Sequence, residues 1–366
     1  LTINVVREKV SIMNNSKSRN NYIELLRFIF CMIILIHHAG FVSPDGSSPL
    51  PSGGVIGDAF FMLTGYFACA HIAKMKDKPD KKMAYSIRYT INKLIKVLPY
   101  AGVGILIAYL FDICHIQGGT SVGDMLSRLY NMIVELLLLP MAGIMKTDLI
   151  SFRNAPLWYL SATLVSLPLV MYLAIAWEDL YKNYLIWFLP LFLQGWMVRT
   201  FGGALPWMDY SGIVYSGAVR GFSSMTMGFG IYYAVKALTK KLGLVEGGKK
   251  VMLTIAELAL FALLLLNIYR GISGYDEIAT IYVAAGMLTL ALSGLTYTSS
   301  INAGFFSYLG RLSLPIYCVH WGVYKWVSAH RCGTGYLAAV LMTFAISAVI
   351  SIVMIKLLDM RAAKKA

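Results

Sequence analysis

Charge is what this chain has least of. Only 14% of its 366 residues are Asp, Glu, Lys or Arg, and the acidic ones are the scarcer, 18 against 32 basic. With 58% hydrophobic residues and a mean hydropathy of +0.66, little room is left for a soluble domain, and the chain falls among polytopic membrane proteins. Metal-type and redox-type cysteine spacing is missing as well. The five cysteines, Cys31, Cys69, Cys114, Cys318 and Cys332, make no CxxC pair and no zinc signature, so no metal is expected. Cys114 and Cys332 both fall near the outer face, and a bridge between them has no further support. No internal repeat stands out, which removes the main sequence argument for a transporter built from inverted repeats. The net charge of +14 does not point to nucleic acid, because the basic residues gather in a few short segments, as they do in cytoplasmic loops.

What the chain does have is long apolar runs. They lie near 22–42, 54–73, 95–113, 157–176, 184–198, 212–235, 251–268, 278–297, 306–328 and 335–356. The expected fold is an all-α membrane bundle of about ten spans. Residues 124–141 are an eleventh candidate, and charge decides against them. If they crossed, Lys236, Lys240, Lys241, Lys249, Lys250 and the RAAKKA tail would move outside. Left uncrossed, they read as an amphipathic or re-entrant piece on the outer side, with Arg128 and Glu135 on its polar face. Both termini are then cytoplasmic: a basic leader over 1–21, the membrane domain over 22–356 and a basic tail over 357–366. The first apolar run is too long, and carries too many ionisable residues, to read as a cleaved signal.

The first span carries Glu24, Arg27, His37 and His38. At about 100° and 1.5 Å per residue, the step from Arg27 to His38 makes three turns plus roughly 20° and rises about 16 Å. Arg27 and His38 therefore share a face at two depths, with Glu24 on nearly the same stripe, while His37 points about 80° away. Ionisable residues inside a membrane are costly, and three on one stripe suggest a polar interior. The plainer alternative is a Glu24–Arg27 pair at the interface and a packed histidine. Asp58 enters the second span at a depth close to that of His38. Lys93 and Lys96 stand where a basic loop meets the third span. Trp158, Arg220, Tyr317 and His320 are further polar or amphipathic residues within or at the ends of spans.

Five blocks in order carry a family resemblance. They are IELLRFIFCMIILIHHAG (23–40), GDAFFMLTGYF (57–67), NKLIKVLPY (92–100), APLWYLSA (155–162) and YLGRLSLPIYCVHWGV (308–323). Together they resemble the acyltransferase-3 family of integral-membrane acyltransferases. An Arg followed after ten residues by a His selects His38 rather than His37. Thr64 stands where Ser is usual, and Lys93 and Lys96 stand where the family pattern has Arg, so the bidentate phosphate fork is absent there. The resemblance implies transfer of an acyl group, often acetyl, from a cytoplasmic donor such as acetyl-CoA to a hydroxyl on an extracytoplasmic glycan or glycolipid.

Residue roles follow on that reading. His38 is the expected general base, since an imidazole titrates near neutral pH. Asp58 is the candidate to orient it, against an alternative as a helix cap. Arg27, Arg88, Lys93 and Lys96 are candidates for the donor phosphates, or else surface charge that sets topology. Trp158, Tyr317, His320 and Arg220 are candidates to line the substrate cavity, against belt, packing or interhelical roles. The competing functional readings are a transporter or flippase for a small polar solute or lipid-linked sugar, in which the same charges line a route, and a non-catalytic membrane partner. A transferase requires His38 and tolerates loss of His37 far better. Neither the acceptor nor the oligomeric state is legible.

Overall fold

The computed structural model describes residues 20–115, 121–143, 152–212, 214–243, 245–301, 303–330 and 333–364. Residues 1–19 of the expected leader and Cys332 lie outside them. Twelve principal helices are described: α1 (Asn21–His37), α2 (Val55–Ile72), α3 (Lys82–Ile95), α4 (Leu98–Cys114), α5 (Val122–Leu136), α6 (Trp158–Ala176), α7 (Ile186–Phe201), α8 (Ser216–Leu242), α9 (Gly247–Arg270), α10 (Tyr275–Ser293), α11 (Gly304–His330) and α12 (Tyr336–Ala363). A two-residue hairpin, Tyr210–Ser211 against Val214–Tyr215, is the one named sheet among the described residues.

Each of the ten apolar runs falls on a helix. Among the described residues, six helices are long and apolar enough to cross a membrane, or seven if α3 and α4, bent by 56° at their break, make one span. Pro99 in the first turn of α4 lacks a donor N–H and suits that restart. The others have local reasons for falling short. α7 is 16 residues with Pro190 inside it, whereas α8 and α11 are 27 residues each but carry polar groups such as Arg220, Arg311, His320 and Lys325.

The segment argued out of the membrane forms α5. It is 15 residues long and begins at a capping box in which the Ser121 hydroxyl accepts from Asp124 N–H and the Asp124 carboxylate accepts from Ser121. Its outward side is apolar, with Val122, Met125, Leu126 and Leu129 exposed, as suits a helix lying in an interface. Glu135, expected with Arg128 on the polar face, is turned inward. It is buried, and its carboxylate accepts from Arg153 N–H at 2.5 Å and Asn154 N–H at 3.4 Å, the strand of chain that leads into α6.

Two packed groups flank the middle of the molecule. In one, α11 packs on α1, α4 and α12; in the other, α8 packs on α2, α6 and α7. Close approach sets the second group. A Cβ on Gly65 would lie 2.0 Å from Met225 O, and one on Gly228 would lie 2.1 Å from Met62 O, so only glycine fits where α2 meets α8. A similar device serves α1 and α11, where a Cβ on Gly310 would meet the Glu24 carboxylate at 2.0 Å.

Candidate functional site

A cavity of about 560 Å³ opens between these groups, with walls from α1, α2, α3, α6, α8, α10 and α11. Arg27, near the start of α1, and Lys93, near the end of α3, line one end. His37 and His38, at the far end of α1, line the other together with Trp158, Trp207, Arg220 and Glu277. The stripe expected along α1 is therefore realised, with Arg27 and His38 on one cavity wall.

At the Arg27 end, the guanidinium donates to Glu24 at 3.0 Å and remains partly exposed. The ion pair and the cavity position thus coexist. Lys93 joins Arg27 on the wall, whereas Arg88 and Lys96 sit on the exposed side of the same region and do not line the cavity. Arg88, five residues before Lys93, is turned about 140° from it around α3, and Lys96 stands past the last turn, at the break before α4.

At the other end, His38 lines the cavity and its Nδ1 lies 2.8 Å from His320 Nε2. The rings stack at 5.1 Å between centroids, and Trp321 stands edge-on to His38 at 5.0 Å. His320 itself is buried behind His38, with Nδ1 2.8 Å from Tyr317 O and 3.2 Å from Ile316 O. Asp58 does not orient His38. Its Oδ2 accepts from Arg220 Nη2 at 2.6 Å and its Oδ1 from Ser224 at 2.8 Å, so both oxygens are taken by α8. A buried carboxylate is held by the nearest cation, and Arg220 supplies it.

Arg220 had no visible partner in the sequence. Besides Asp58, its Nη2 donates to Gly54 O at 3.0 Å and its Nη1 to Leu205 O, while its face lies 5.0 Å from the Trp158 ring centre. The side chain therefore ties α2, α8 and the loop after α7 together at the cavity wall, and its Nη1 and Nη2 groups bond the protein rather than a ligand. Tyr317 also lines the cavity, with its hydroxyl donated to Pro156 O. Thr64 bonds Tyr159 at 3.0 Å on the same wall.

His37, Trp207 and Glu277 are among the lining residues that the sequence did not single out. His37, the last residue of α1, is set about 80° from Arg27 by the helix, yet the cavity is wide enough at that end for it to line the wall beside His38. Its Nδ1 donates to Leu50 O at 2.7 Å, and Gly53 leaves room for it: a Cβ there would lie 2.6 Å from His37 Cβ. Trp207, from the loop after α7, stacks on Trp158 with centroids 5.7 Å apart and planes 22° apart. Glu277, in the first turn of α10, accepts from Ala204 N–H at 2.5 Å and Leu205 N–H at 3.1 Å. The one available signal was an acid at the mouth of an apolar run. Among the described residues, no group of three or more His, Cys, Asp or Glu side chains is arranged to hold a metal ion.

The arrangement offers cations at one end, an imidazole with an open edge at the other, and an aromatic pair beside it. The family model of the acyltransferase domain matches residues 20–356, nearly the whole chain. The chain belongs to the acyltransferase-3 family. No curated protein and no solved structure matches it. An acyltransferase domain built of helices long enough to cross a membrane makes this a membrane acyltransferase, and an acyl donor, an acceptor and a bilayer are its coarse requirements.

Proposed function

We propose that this acyltransferase moves an acyl group, acetyl in the simplest case, from a cytoplasmic acyl-CoA to a hydroxyl of an extracytoplasmic glycan or glycolipid, with His38 as general base. The observation that carries the reading is the single cavity with Arg27 and Lys93 at one end and His38 at the other. Phosphates of the donor bind the two cations, Arg27 through its fork and Lys93 as a point charge. The thioester, at the end of the donor's long flexible arm, then lies toward His38, about 16 Å along α1 from Arg27. Trp158 and Trp207 offer a flat apolar face to a sugar ring, and Glu277 offers a carboxylate to its hydroxyls.

The step balances without a metal. The acceptor hydroxyl gives its proton to the His38 nitrogen left free by His320, and its oxygen adds to the thioester carbonyl. The tetrahedral oxyanion collapses, the C–S bond breaks, and the departing thiolate takes the proton from His38. Asp58 and Arg220 hold the wall in place. The enzyme is expected to reside in the cell membrane and to contact lipid, donor and acceptor, with no nucleic-acid partner.

The test uses purified protein in liposomes with radiolabelled acetyl-CoA and a cell-envelope glycan fraction, reading both glycan label and CoA thiol release. Label on glycan from the parent, and none from a folded His38→Ala variant, is the expected result. Equal label from both variants would remove His38 from the mechanism. Absence of donor binding and turnover in a folded parent, with movement of a solute instead, would favour the transporter reading.

A further inference from the structure

The hydrogen bonds around His320 determine more than a contact. Its Nδ1 faces two backbone carbonyls, Tyr317 O at 2.8 Å and Ile316 O at 3.2 Å. A carbonyl only accepts, so Nδ1 carries the proton. In a neutral imidazole the other nitrogen, Nε2, is then an acceptor. Nε2 lies 2.8 Å from His38 Nδ1, which must therefore be the donor. His38 with its proton on Nδ1 keeps its lone pair on Nε2. No hydrogen bond engages that nitrogen among the described residues, and the residue lines the cavity.

The reverse assignment fails on charge. If His38 Nδ1 accepted, His320 would need protons on both nitrogens and would be an imidazolium. His320 is 1% exposed, and among the described residues no carboxylate bonds or pairs with either ring. The His37 ring, 5.1 Å from that of His38, carries no negative charge in either of its ordinary states. An unpaired cation buried there is far more costly than a neutral ring.

We propose that His320 is a positioning residue for acyl transfer: it holds His38 as the Nδ1–H tautomer, so that Nε2 is the base presented to the acceptor. The proposal rests on the transfer reading above, but its tautomer half stands without it. When the acceptor O–H bond breaks and Nε2–H forms, His38 becomes an imidazolium, and its Nδ1–H bond to His320 becomes charge-assisted. The same proton leaves Nε2 for the thiolate as C–S breaks, so His320 ends as it began. An orienting carboxylate would bring a standing negative charge into the membrane. A neutral imidazole braced by backbone carbonyls performs the orientation without one.

The test combines nitrogen NMR with kinetics. In ¹⁵N-histidine-labelled protein, with the His38 signals assigned by their loss in His38→Ala, the parent is expected to show a protonated Nδ1 and an unprotonated Nε2. An Nε2–H tautomer in the parent overturns the proposal whether or not the protein transfers acyl groups. His320→Gln places a carbonyl oxygen near the former Nε2 and keeps an acceptor for His38; His320→Leu removes it. We expect His320→Leu to lower kcat about 100-fold with the donor KM unchanged and to lose the Nδ1–H preference. His320→Gln is expected to recover kcat to within about tenfold of the parent and to keep that preference. Equal losses in the two variants, or a change confined to KM, would show that the ring only fills space. A parent with the expected tautomer but no turnover would fault the transfer reading and leave the tautomer assignment standing.

Discussion

Two polar pairs reach the cavity from opposite helix groups, through Arg220 in one and His38 in the other, and they are built on opposite principles. Arg220 and Asp58 are charged, 2% and 1% exposed, and spend Nη1, Nη2 and both carboxylate oxygens on one another, on Ser224 and on backbone. His38 and His320 are joined by one hydrogen bond that leaves the cavity-side nitrogen of His38 open. The first pair is closed apart from the Arg220 Nε, which is buried without a partner among the described residues, whereas the second keeps one His38 nitrogen open. An intramembrane charge signals a costly group that needs a partner; it signals a reactive group only where some bonding capacity remains. The comparison assigns architecture to Arg220–Asp58 and chemistry to His38–His320.

Breaking the comparison at its most sensitive point means removing His38. His38→Ala is expected to lower kcat by at least about 100-fold with an unchanged melting temperature. His37→Ala, whose ring lines the cavity but whose Nδ1 is tied to Leu50 O, is expected to cost far less. The reverse pattern is expected at the charged pair. Arg220→Ala strands the Asp58 carboxylate and costs about 3–5 kcal/mol of stability, visible as loss of folded protein on detergent extraction. The double variant Asp58→Leu/Arg220→Met strands no charge and is expected to recover most of that stability. If it recovered the fold but lost all transfer, the assignment of the pair to architecture would fail.

Smaller effects sharpen the contrast between the two ends. Arg27→Ala and Lys93→Ala are each expected to raise the donor KM about tenfold, the range of one charge-assisted hydrogen bond. Arg88→Ala and Lys96→Ala, outside the cavity, are expected to stay within about twofold. Titration of donor affinity in the four variants checks this. The smallest effect is at Glu135 on α5. Burial pushes its carboxyl up from 4.5 to about 7, against the lowering pull of the Arg153 and Asn154 N–H groups. Between those values the folded chain holds a proton that the unfolded chain has released, so this group's contribution makes stability fall as pH rises from about 4.5 to about 7. Glu135→Gln keeps the acceptor oxygen and is expected to flatten that part of the melting profile.

The fold was legible where its signal was periodic. Apolar runs located ten helices, and loop charge kept residues 124–141 from counting as a span. The Arg27–His38 stripe was legible for the same reason, because a regular helix carries phase over three turns. The same phase argument turned His37 away from the cavity on paper, yet the cavity is wide enough at the end of α1 for both histidines to line it. Similar depth suggested Asp58 for His38, yet depth does not fix which neighbour a helix faces. Gly65 and Gly228 bring α2 and α8 together closely, which gives Asp58 to Arg220. Trp207 and Glu277 were hidden because their positions depend on loop and helix-end geometry rather than on a repeat.

The central claim is that one cavity joins a donor end at Arg27 and Lys93 to a transfer end at His38. It is tested most directly in proteoliposomes of known orientation, with radiolabelled acetyl-CoA supplied only at the face bearing Arg27 and Lys93 and envelope glycan only at the other. The account predicts labelled glycan on the far side, none when the two reagents exchange sides, and none with His38→Ala. Label that forms only when donor and glycan share one face would contradict it.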